Sequence, residues 1–557
     1  MGERVDADRR PLDGVRPRTR PGRTRPGSDP TRVWRALTYG VPLAFLALFF
    51  VYPLGAIVER GLLSEGGRSA LDVLGDPLTR EVLWFTVWQA LVSTTLTIAV
   101  AFPASYVTGR FSFPGRSLVR ALVVVPFVLP TVVVALAFLA VLPESLERGW
   151  TPILIAHAFF NVAVVVRIVG TFWASLDRRV SEAAATLGAG PRRRFREVTL
   201  PLLAPALAAA AAIVFLFSFT SFGIVLILGG PRYATVEAEI YNQAVRLFDL
   251  RAAAVLSLVQ LACVALAVWT AMRLEARLVV PGQLRAERDV LRVPRSVGER
   301  TLVTASLGGL TVFLGFPLLV LVERSLAVGE GHGLEAYRAL ARPTSALLAA
   351  PWEAVVNSLV YAGGATAIAV VVGGLAAFAV AGARGPRLLD GLLMLPLGAS
   401  AVMLGFGFVI AFDTAPLDFR SAPWIVPIVQ ALVAIPFVVR IVAPTLRAID
   451  ERQREAAALL GASPGRVRRE IDLPIVGRAL AVAAGFAFAI SLGEFGATVF
   501  LARPDNPTLP VAIFRFLGRP GELNAAQAYA LAVVLMAVTA ASILLVDRVR
   551  VRRGGWF

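Results

Sequence analysis

Residues 182–201 read EAAATLGAGPRRRFREVTLP, and residues 455–474 read EAAALLGASPGRVRREIDLP. Thirteen of the twenty positions are identical, and the two copies lie 273 residues apart. Other residues match at the same distance, among them Phe222-Gly223 with Phe495-Gly496 and Thr235 with Thr508. The duplication therefore extends beyond this block, and the chain consists of two tandem copies of one unit.

The composition indicates that both copies are embedded in a membrane. The 557 residues are 57% hydrophobic and 17% charged, with a mean hydropathy of +0.71, which is too apolar for a soluble domain. Crossing a bilayer as a helix takes about 20 apolar residues. Runs of that size predict twelve spans, near 36–58, 84–109, 121–143, 150–173, 204–229, 252–272, 301–322, 354–383, 391–412, 422–445, 479–502 and 523–546. The predicted fold class is an all-α integral membrane protein with two tandem six-helix halves.

The distribution of charge predicts the orientation. With the N-terminus inside, cytoplasmic segments hold 41 Arg against 19 acidic residues, and exterior segments hold 14 Arg against 19. This asymmetry is typical of membrane topology, and it accounts for the formal charge of +17 without nucleic acid as a partner. We therefore expect a multi-pass protein of the plasma (inner) membrane with both termini cytoplasmic. Six spans separate equivalent points, so the halves should be parallel and related by a pseudo-two-fold axis along the membrane normal.

The same patterns predict the division of the chain. The N-terminal segment is rich in Arg, Pro, Gly and Asp, and it has too few apolar residues to form a core. The predicted units are a disordered cytoplasmic arm (1–32), the first half (33–272), a cytoplasmic linker (273–300), the second half (301–547) and a cytoplasmic tail (548–557).

Several classes of function are excluded by residue counts. One Cys and two His provide neither a disulfide framework nor a Cys/His metal site, so no metal is expected. All 55 basic residues are Arg, which rules out a P-loop with its Lys. The chain is therefore not expected to be an enzyme, and any ATP hydrolysis must occur on another polypeptide.

Both copies of the repeated block fall in cytoplasmic loops of about thirty residues, far longer than a bare connection needs. Their local patterns predict a short helix, a break and a second helix. The N-caps are Asp177 and Asp450, the helix ends are Gly188 and Gly461, and the next helices begin at Pro191 and Pro464. From the residues alone, each loop either docks on a partner protein or lies on the lipid headgroups.

The spacing Glu-Ala-Ala, three residues, Gly, nine residues, an aliphatic residue, one residue, Leu-Pro resembles the cytoplasmic loop of ABC importer permeases. The second copy matches in full, and the first has Val198 where Ile is usual. The resemblance implies that each loop couples the chain to an ATPase subunit. The residues carried over are Glu182, Ala183, Ala184, Gly188, Leu200, Pro201, Glu455, Ala456, Ala457, Gly461, Leu473 and Pro474.

The resemblance also implies the partners. They are two copies of a cytoplasmic ATPase that bind ATP and Mg, and an extracytoplasmic solute-binding protein that delivers the substrate. The chain itself would hold no cofactor and would work by alternating access within the lipid bilayer. Fused two-half permeases of this length resemble those of thiamine and ferric-iron uptake systems, and the first half looks most like the thiamine type. An ion-coupled secondary transporter is the alternative of another class.

Glu494 is the one acidic residue inside a predicted span, where a charge is costly, and its counterpart in the first half is Ser221. It is predicted either to contact a cationic substrate or to bond a neighbouring helix. Ser221, Phe222 and Phe495 are placed with it on the substrate pathway, and His157 is interpreted as a core residue. The predicted surface for the binding protein includes Thr235 and Thr508.

Overall fold

The computed structural model describes residues 34, 36–64, 68–278, 291–329, 331–344, 347, 349–382, 387–413, 417–419 and 422–551. The predicted arm 1–32 lies outside these ranges, as do residues 279–290 of the predicted linker and 552–557 of the predicted tail. Within the described ranges the regular secondary structure is helical apart from one small hairpin and two isolated bridges.

The two halves repeat one order of helices. The helices of the first half are α1 (Ala36–Leu63), α2 (Ala70–Gly75), α3 (Pro77–Arg110), α4 (Arg116–Val128), α5 (Thr131–Val141), α6 (Trp150–Ser175), α7 (Arg178–Thr186), α8 (Pro191–Phe219), α9 (Gly223–Leu228), α10 (Val236–Tyr241) and α11 (Leu250–Leu278).

The second half adds a hairpin after its first helix, in which β1 (Ala327–Val328) pairs antiparallel with β2 (Gly331–His332). Its helices are α12 (Val297–Leu326), α13 (Glu335–Ala339), α14 (Pro351–Ala381), α15 (Arg387–Gly398), α16 (Ala401–Ala411), α17 (Ile425–Arg447), α18 (Glu451–Leu459), α19 (Pro464–Gly493), α20 (Thr498–Leu501), α21 (Leu509–Leu517) and α22 (Glu522–Val551).

Ten helices of the described chain are long and apolar enough to cross a membrane. The all-α membrane architecture is thus confirmed, and the third and ninth predicted spans are each interrupted within their length. The third breaks between α4 and α5 at Pro130, and the axes of α15 and α16 differ by 91°. Proline removes a backbone donor, and the Ser400 hydroxyl starts α16 by accepting the Met403 N–H at 3.0 Å.

The predicted fifth and eleventh spans are also too long at their ends. α8 ends at Phe219 and α19 at Gly493, and each is followed by a short break and a separate short helix. The runs 204–229 and 479–502 are therefore each a membrane helix followed by a break and a separate short helix. This places Ser221 and Glu494 at helix breaks instead of inside helices.

The halves interlock by their first helices. Phe49 of α1 packs against Phe408 of α16, with ring centroids 6.2 Å apart, and the Tyr39 hydroxyl donates to the Ala379 carbonyl of α14 at 3.4 Å. On the other side, Phe313 of α12 meets Phe159 of α6 at 6.0 Å. Each half thus packs its first helix on the other half, which holds the two halves together around their shared interface.

Candidate functional site

The two repeated loops adopt the same local structure. In the first, the Asp177 carboxylate accepts the Arg179 N–H at 3.0 Å, and in the second, Asp450 accepts that of Arg452 at 3.0 Å. These bonds satisfy backbone donors that a helix start leaves unpaired, so α7 and α18 begin where the cap residues stand. The predicted N-caps are confirmed.

Gly188 and Gly461 end these helices as predicted. Both have a φ of +84°, in the left-handed region that favours glycine. Two backbone bonds close each helix. In the first loop, Gly188 N–H donates to the Ala185 carbonyl and Ala189 N–H to the Ala184 carbonyl, both at 3.0 Å. In the second, Gly461 N–H donates to the Ala458 carbonyl and Ala462 N–H to the Ala457 carbonyl, again at 3.0 Å. This is a Schellman motif, which turns the chain sharply into the next helix.

The other residues of the repeated block occupy equivalent places. Pro191 and Pro464 are the first residues of α8 and α19, and each helix then passes through a wider π-helical turn before entering its apolar stretch. The Glu-Ala-Ala segments (Glu182, Ala183, Ala184; Glu455, Ala456, Ala457) lie on α7 and α18, and the Leu-Pro pairs (Leu200, Pro201; Leu473, Pro474) directly follow the π turns.

The loops differ in one anchor. In the second loop, Arg454 of α18 donates to the Asp472 carboxylate at 2.9 Å and to Glu451 at 2.8 Å. Burial alone would lower the pKa of Arg454, but these two carboxylates outweigh burial and raise it. At the equivalent positions the first loop has Ser181 and Thr199, which cannot form this ion pair. The second loop therefore has an ion pair to its return helix that the first loop cannot form at these positions.

At the end of α8 and α19 opposite the loops, aromatic rings close the interface between the halves. Phe222 of the first half stacks on Phe495 of the second, with centroids 5.3 Å apart and planes inclined by 27°. Tyr241 extends the contact toward the second half by an edge-on approach to Phe500 at 5.6 Å. Phe514 packs against Phe495 at 5.5 Å, so the pair is enclosed by further rings.

Glu494, next to Phe495, has both carboxylate oxygens occupied. Oε1 accepts the Ala497 N–H at 2.7 Å and Oε2 accepts the Thr498 N–H at 3.0 Å. The side chain thus caps the short helix α20 within its own loop. In this conformation Glu494 fits the predicted structural alternative, and a direct contact with a cationic substrate would require these bonds to break.

Thr235 and Thr508 are buried, with exposed fractions of 0% and 1%. The prediction that they contribute to a surface for a binding protein is wrong for this structure. Thr235 instead donates from Oγ1 to the Ser221 carbonyl at 3.1 Å and precedes α10. Thr508 has the matching place before α21.

The interpretation of His157 as a core residue is confirmed, but sequence reasoning missed its partners and the burial of Glu237. His157 links Ser93 and Ser221 by both ring nitrogens, although these residues are 64 positions apart in each case. Glu237 of α10, expected in an exterior loop, is buried and accepts from Gln260 Nε2 at 3.1 Å. Hydrogen bonds between residues 23 or 64 positions apart leave no local pattern in the sequence, so they could not be predicted from it. Among the described residues, no group of three or more His, Cys, Asp or Glu is arranged to hold a metal ion.

The family model described as "Binding-protein-dependent transport system inner membrane component" matches residues 101–280 and again residues 369–553. Each match falls in one half, and together they cover more than half of the chain. The chain belongs to this family. It is a fused two-half permease of an ABC importer, and the alternative of an ion-coupled secondary transporter is not supported.

Two thiamine permeases match most of the chain, and a sulfate permease matches less than half of it. The permease is 30% identical over 537 residues to the thiamine transport system permease protein ThiP of Brucella abortus (strain 2308), covering 92% of this chain and 95% of that protein. Its identity to ThiP of Escherichia coli (strain K12) is 28% over 463 residues, covering 78% and 83%. The sulfate transport system permease protein CysT of Salmonella typhimurium is 32% identical over 256 residues, covering 43% of this chain and 92% of that protein.

Proposed function

We propose that this permease imports thiamine, taking it from an extracytoplasmic binding protein and releasing it into the cytoplasm at the expense of ATP hydrolysed by two partner subunits. The observation that carries the proposal is the similarity to thiamine permeases along both halves, over 92% of the chain. The sulfate permease resembles the chain over 43% of its length, the extent of one half.

The loops supply the coupling in this proposal. At their tips Leu187 of the first loop and Leu459 and Leu460 of the second are 87%, 90% and 89% exposed. Apolar side chains exposed at a rigid helix end favour contact with a partner protein. We assign each loop to one ATPase subunit, which carries the ATP and Mg. The interaction fixes the loops, and with them both termini, on the cytoplasmic side, as the Arg distribution predicts.

The translocation route in this proposal follows the interface between the halves. The stacked pair of Phe222 and Phe495 closes that interface at the end remote from the loops. Opening must separate these two rings, since one belongs to each half. A closure at the outer end corresponds to the inward-directed stage of an alternating-access cycle.

The chemistry near the closure suits a cationic aromatic substrate. Thiamine combines a positively charged thiazolium with an aminopyrimidine, and cations bind favourably over the faces of Phe and Tyr. Phe222, Tyr241 and Phe495 provide such faces, and Glu237 provides a buried carboxyl group on the same helix as Tyr241. A sulfate anion would not be attracted by the faces of these rings or by a carboxyl group.

The test is uptake into proteoliposomes that contain the permease with its ATPase and binding protein. Labelled thiamine, sulfate and ferric iron are supplied separately, with ATP inside or absent. We expect ATP-dependent accumulation of thiamine alone. Accumulation of ferric iron without thiamine would replace the proposed substrate by the iron alternative, and sulfate uptake would contradict the argument from the aromatic rings.

A matched pair of variants separates substrate contact from structure. Burial raises the pKa of Glu237 to about 8, and an adjacent cation would lower it again and favour the carboxylate. Glu237→Gln should raise the KM for thiamine because an amide cannot ionise beside the substrate cation. Glu494→Gln should lower the amount of folded protein because it removes a helix cap, with little change in the KM of the protein that remains. The opposite pattern would return Glu494 to the role of cation contact.

A further inference from the structure

We propose that His157 is a positioning residue that links α6 and α8, the helices on either side of the first repeated loop, at the ends remote from that loop. Movement of the loop would then reach Phe222 because α6 and α8 move as one rigid unit. The inference rests on the proposed coupling role of the loop, but it concerns a residue to which neither the resemblance nor the comparisons assign a function.

Both ring nitrogens of His157 are engaged. Nδ1 lies 3.0 Å from the Ser93 hydroxyl and Nε2 lies 2.8 Å from the Ser221 hydroxyl, and the imidazole is 1% exposed. A neutral imidazole has one donor and one acceptor, and a hydroxyl can serve either. The two contacts therefore fix the plane of the ring and hold three segments of chain at one point.

The hydrogen bond between His157 and Ser221 lies far from the first repeated loop. His157 lies on α6, which runs into the loop at Asp177, and Ser221 lies two residues beyond the end of α8, which leaves the loop. The distance along α6 from His157 to Ser175 is about 27 Å, at 1.5 Å per residue. The contact thus closes a long helical hairpin at the end opposite its loop.

The same unit is packed closely near the loop. A Cβ added to Gly109 of α3 would lie 2.8 Å from the Gly170 carbonyl of α6, so these helices touch through their backbones. Ser93, the other partner of His157, is also on α3. α3 and α6 are therefore held together at two points along their length, and α8 joins them through Ser221.

The contact between His157 and Ser221 lies next to the stacked pair of Phe222 and Phe495. Ser221 directly precedes Phe222, whose ring stacks on Phe495 of the other half. The backbone carbonyl of Ser221 accepts the Thr235 hydroxyl at 3.1 Å while its side chain contacts His157. The segment before Phe222 is thus held at its backbone and its side chain, and the ring must move with α6 and α8.

The second half lacks this arrangement. Gln430 stands in the position of His157 and Glu494 in that of Ser221. Glu494 bonds the backbone of its own loop, and the Gln430 Oε1 atom is buried without a hydrogen-bond partner. In the part of the chain that the structure describes, no side-chain hydrogen bond joins these two residues. Loss of His157 should therefore disconnect the closure from the loop in the first half only.

The test uses His157→Ala, His157→Gln and the control Asn161→Ala in the complete complex with ATPase and binding protein. Asn161 is equally buried on α6 but donates only to the His157 carbonyl within that helix. Thiamine uptake and ATP hydrolysis are measured on the same proteoliposomes. We expect uptake per ATP to fall about fivefold or more in His157→Ala. Gln, which keeps a donor and an acceptor, should restore most of it, and Asn161→Ala should leave the ratio unchanged.

A second measurement needs no substrate. Phe222→Cys and Phe495→Cys, in a chain with Cys263→Ala, report by disulfide yield whether the distance between the two halves at this point responds to nucleotide. We expect the yield to change with ATP when His157 is present and to lose that response in His157→Ala. An unaltered uptake ratio, a retained nucleotide response, or an equal effect of Asn161→Ala would overturn the proposal. Failure of the parent complex to take up thiamine would refute the proposed substrate, and the disulfide assay would still decide the role of His157.

Discussion

Replacing Gly188 and Gly461 by Ala tests the proposed coupling role of the two repeated loops through the backbone alone. Both glycines have a φ of +84°, and a Cβ added to either would meet no atom within 4 Å. No steric clash with a neighbour therefore contributes to the effect. What remains is the cost of placing an L-residue in the left-handed region, about 1–2 kcal/mol.

This cost can be converted into an expected loss of docking. The loops are exposed, so in the free permease each variant relaxes by opening its Schellman bond, such as that from Ala189 N–H to the Ala184 carbonyl. The ATPase must then restore the original turn on binding. A penalty of about 1–2 kcal/mol weakens docking by about five- to thirtyfold per loop. Because the loops are separate sites, the double variant should lose about twenty-five-fold or more.

The assay is titration of the ATPase onto the permease in nanodiscs, followed by uptake at a fixed ATPase concentration. Gly465→Ala is the matched control, since Gly465 lies in the same loop with a φ outside the left-handed region and has open space around its added Cβ. Its affinity should stay within about two- to threefold of the parent. In the first loop, Gly190→Ser is the matched control, because Ser463 is the equivalent residue of the second loop.

Two results would refute this reasoning. Parent-level docking and uptake in the double variant would show that the left-handed turns are not what the ATPase recognises. An equal loss in Gly465→Ala would show that any change in the loop disturbs docking, whatever its φ.

Three further variants test the packing around the site. Gly223→Ala places a Cβ 2.5 Å from the Thr131 hydroxyl and should lower stability by about 1–3 kcal/mol, which thermal unfolding in detergent measures and which Thr131→Ala should partly relieve. Glu494→Gln leaves one of two buried backbone N–H groups without its acceptor, at about 1–3 kcal/mol, and an unchanged unfolding midpoint would contradict the cap. Arg454→Ala removes the partner of Asp472, so limited proteolysis should cut the second loop faster while cleavage of the first loop stays constant.

The coupling loops were predictable because their structure depends on neighbours in sequence. The cap Asp177 bonds a donor two positions away, and Gly188 closes a turn whose bonds span five positions. Such contacts form in any chain that begins the helix, so the sequence specifies them locally. The duplication at 273 residues gave every such feature twice.

The outer end of the site could not be predicted in this way. Thr235 follows an apolar run and was expected at a surface, yet α10 and Ser221 bury it. Hydropathy counts apolar residues along the chain, but it does not register where a helix breaks and the following segment stays buried in the protein. Residues after such a break are exposed in a topological diagram and buried in three dimensions.

The sequence by itself determined that the chain spans the membrane in two parallel repeats, because apolar length and duplication are properties of residue order. It also determined the caps of the coupling loops, which depend on bonds within one helical turn. Only the tertiary structure decided that the halves exchange their first helices, that Glu494 caps its own loop and that His157 joins Ser93 to Ser221. These contacts unite residues far apart in the chain, and their free energy exists only once the helices that carry them are packed together.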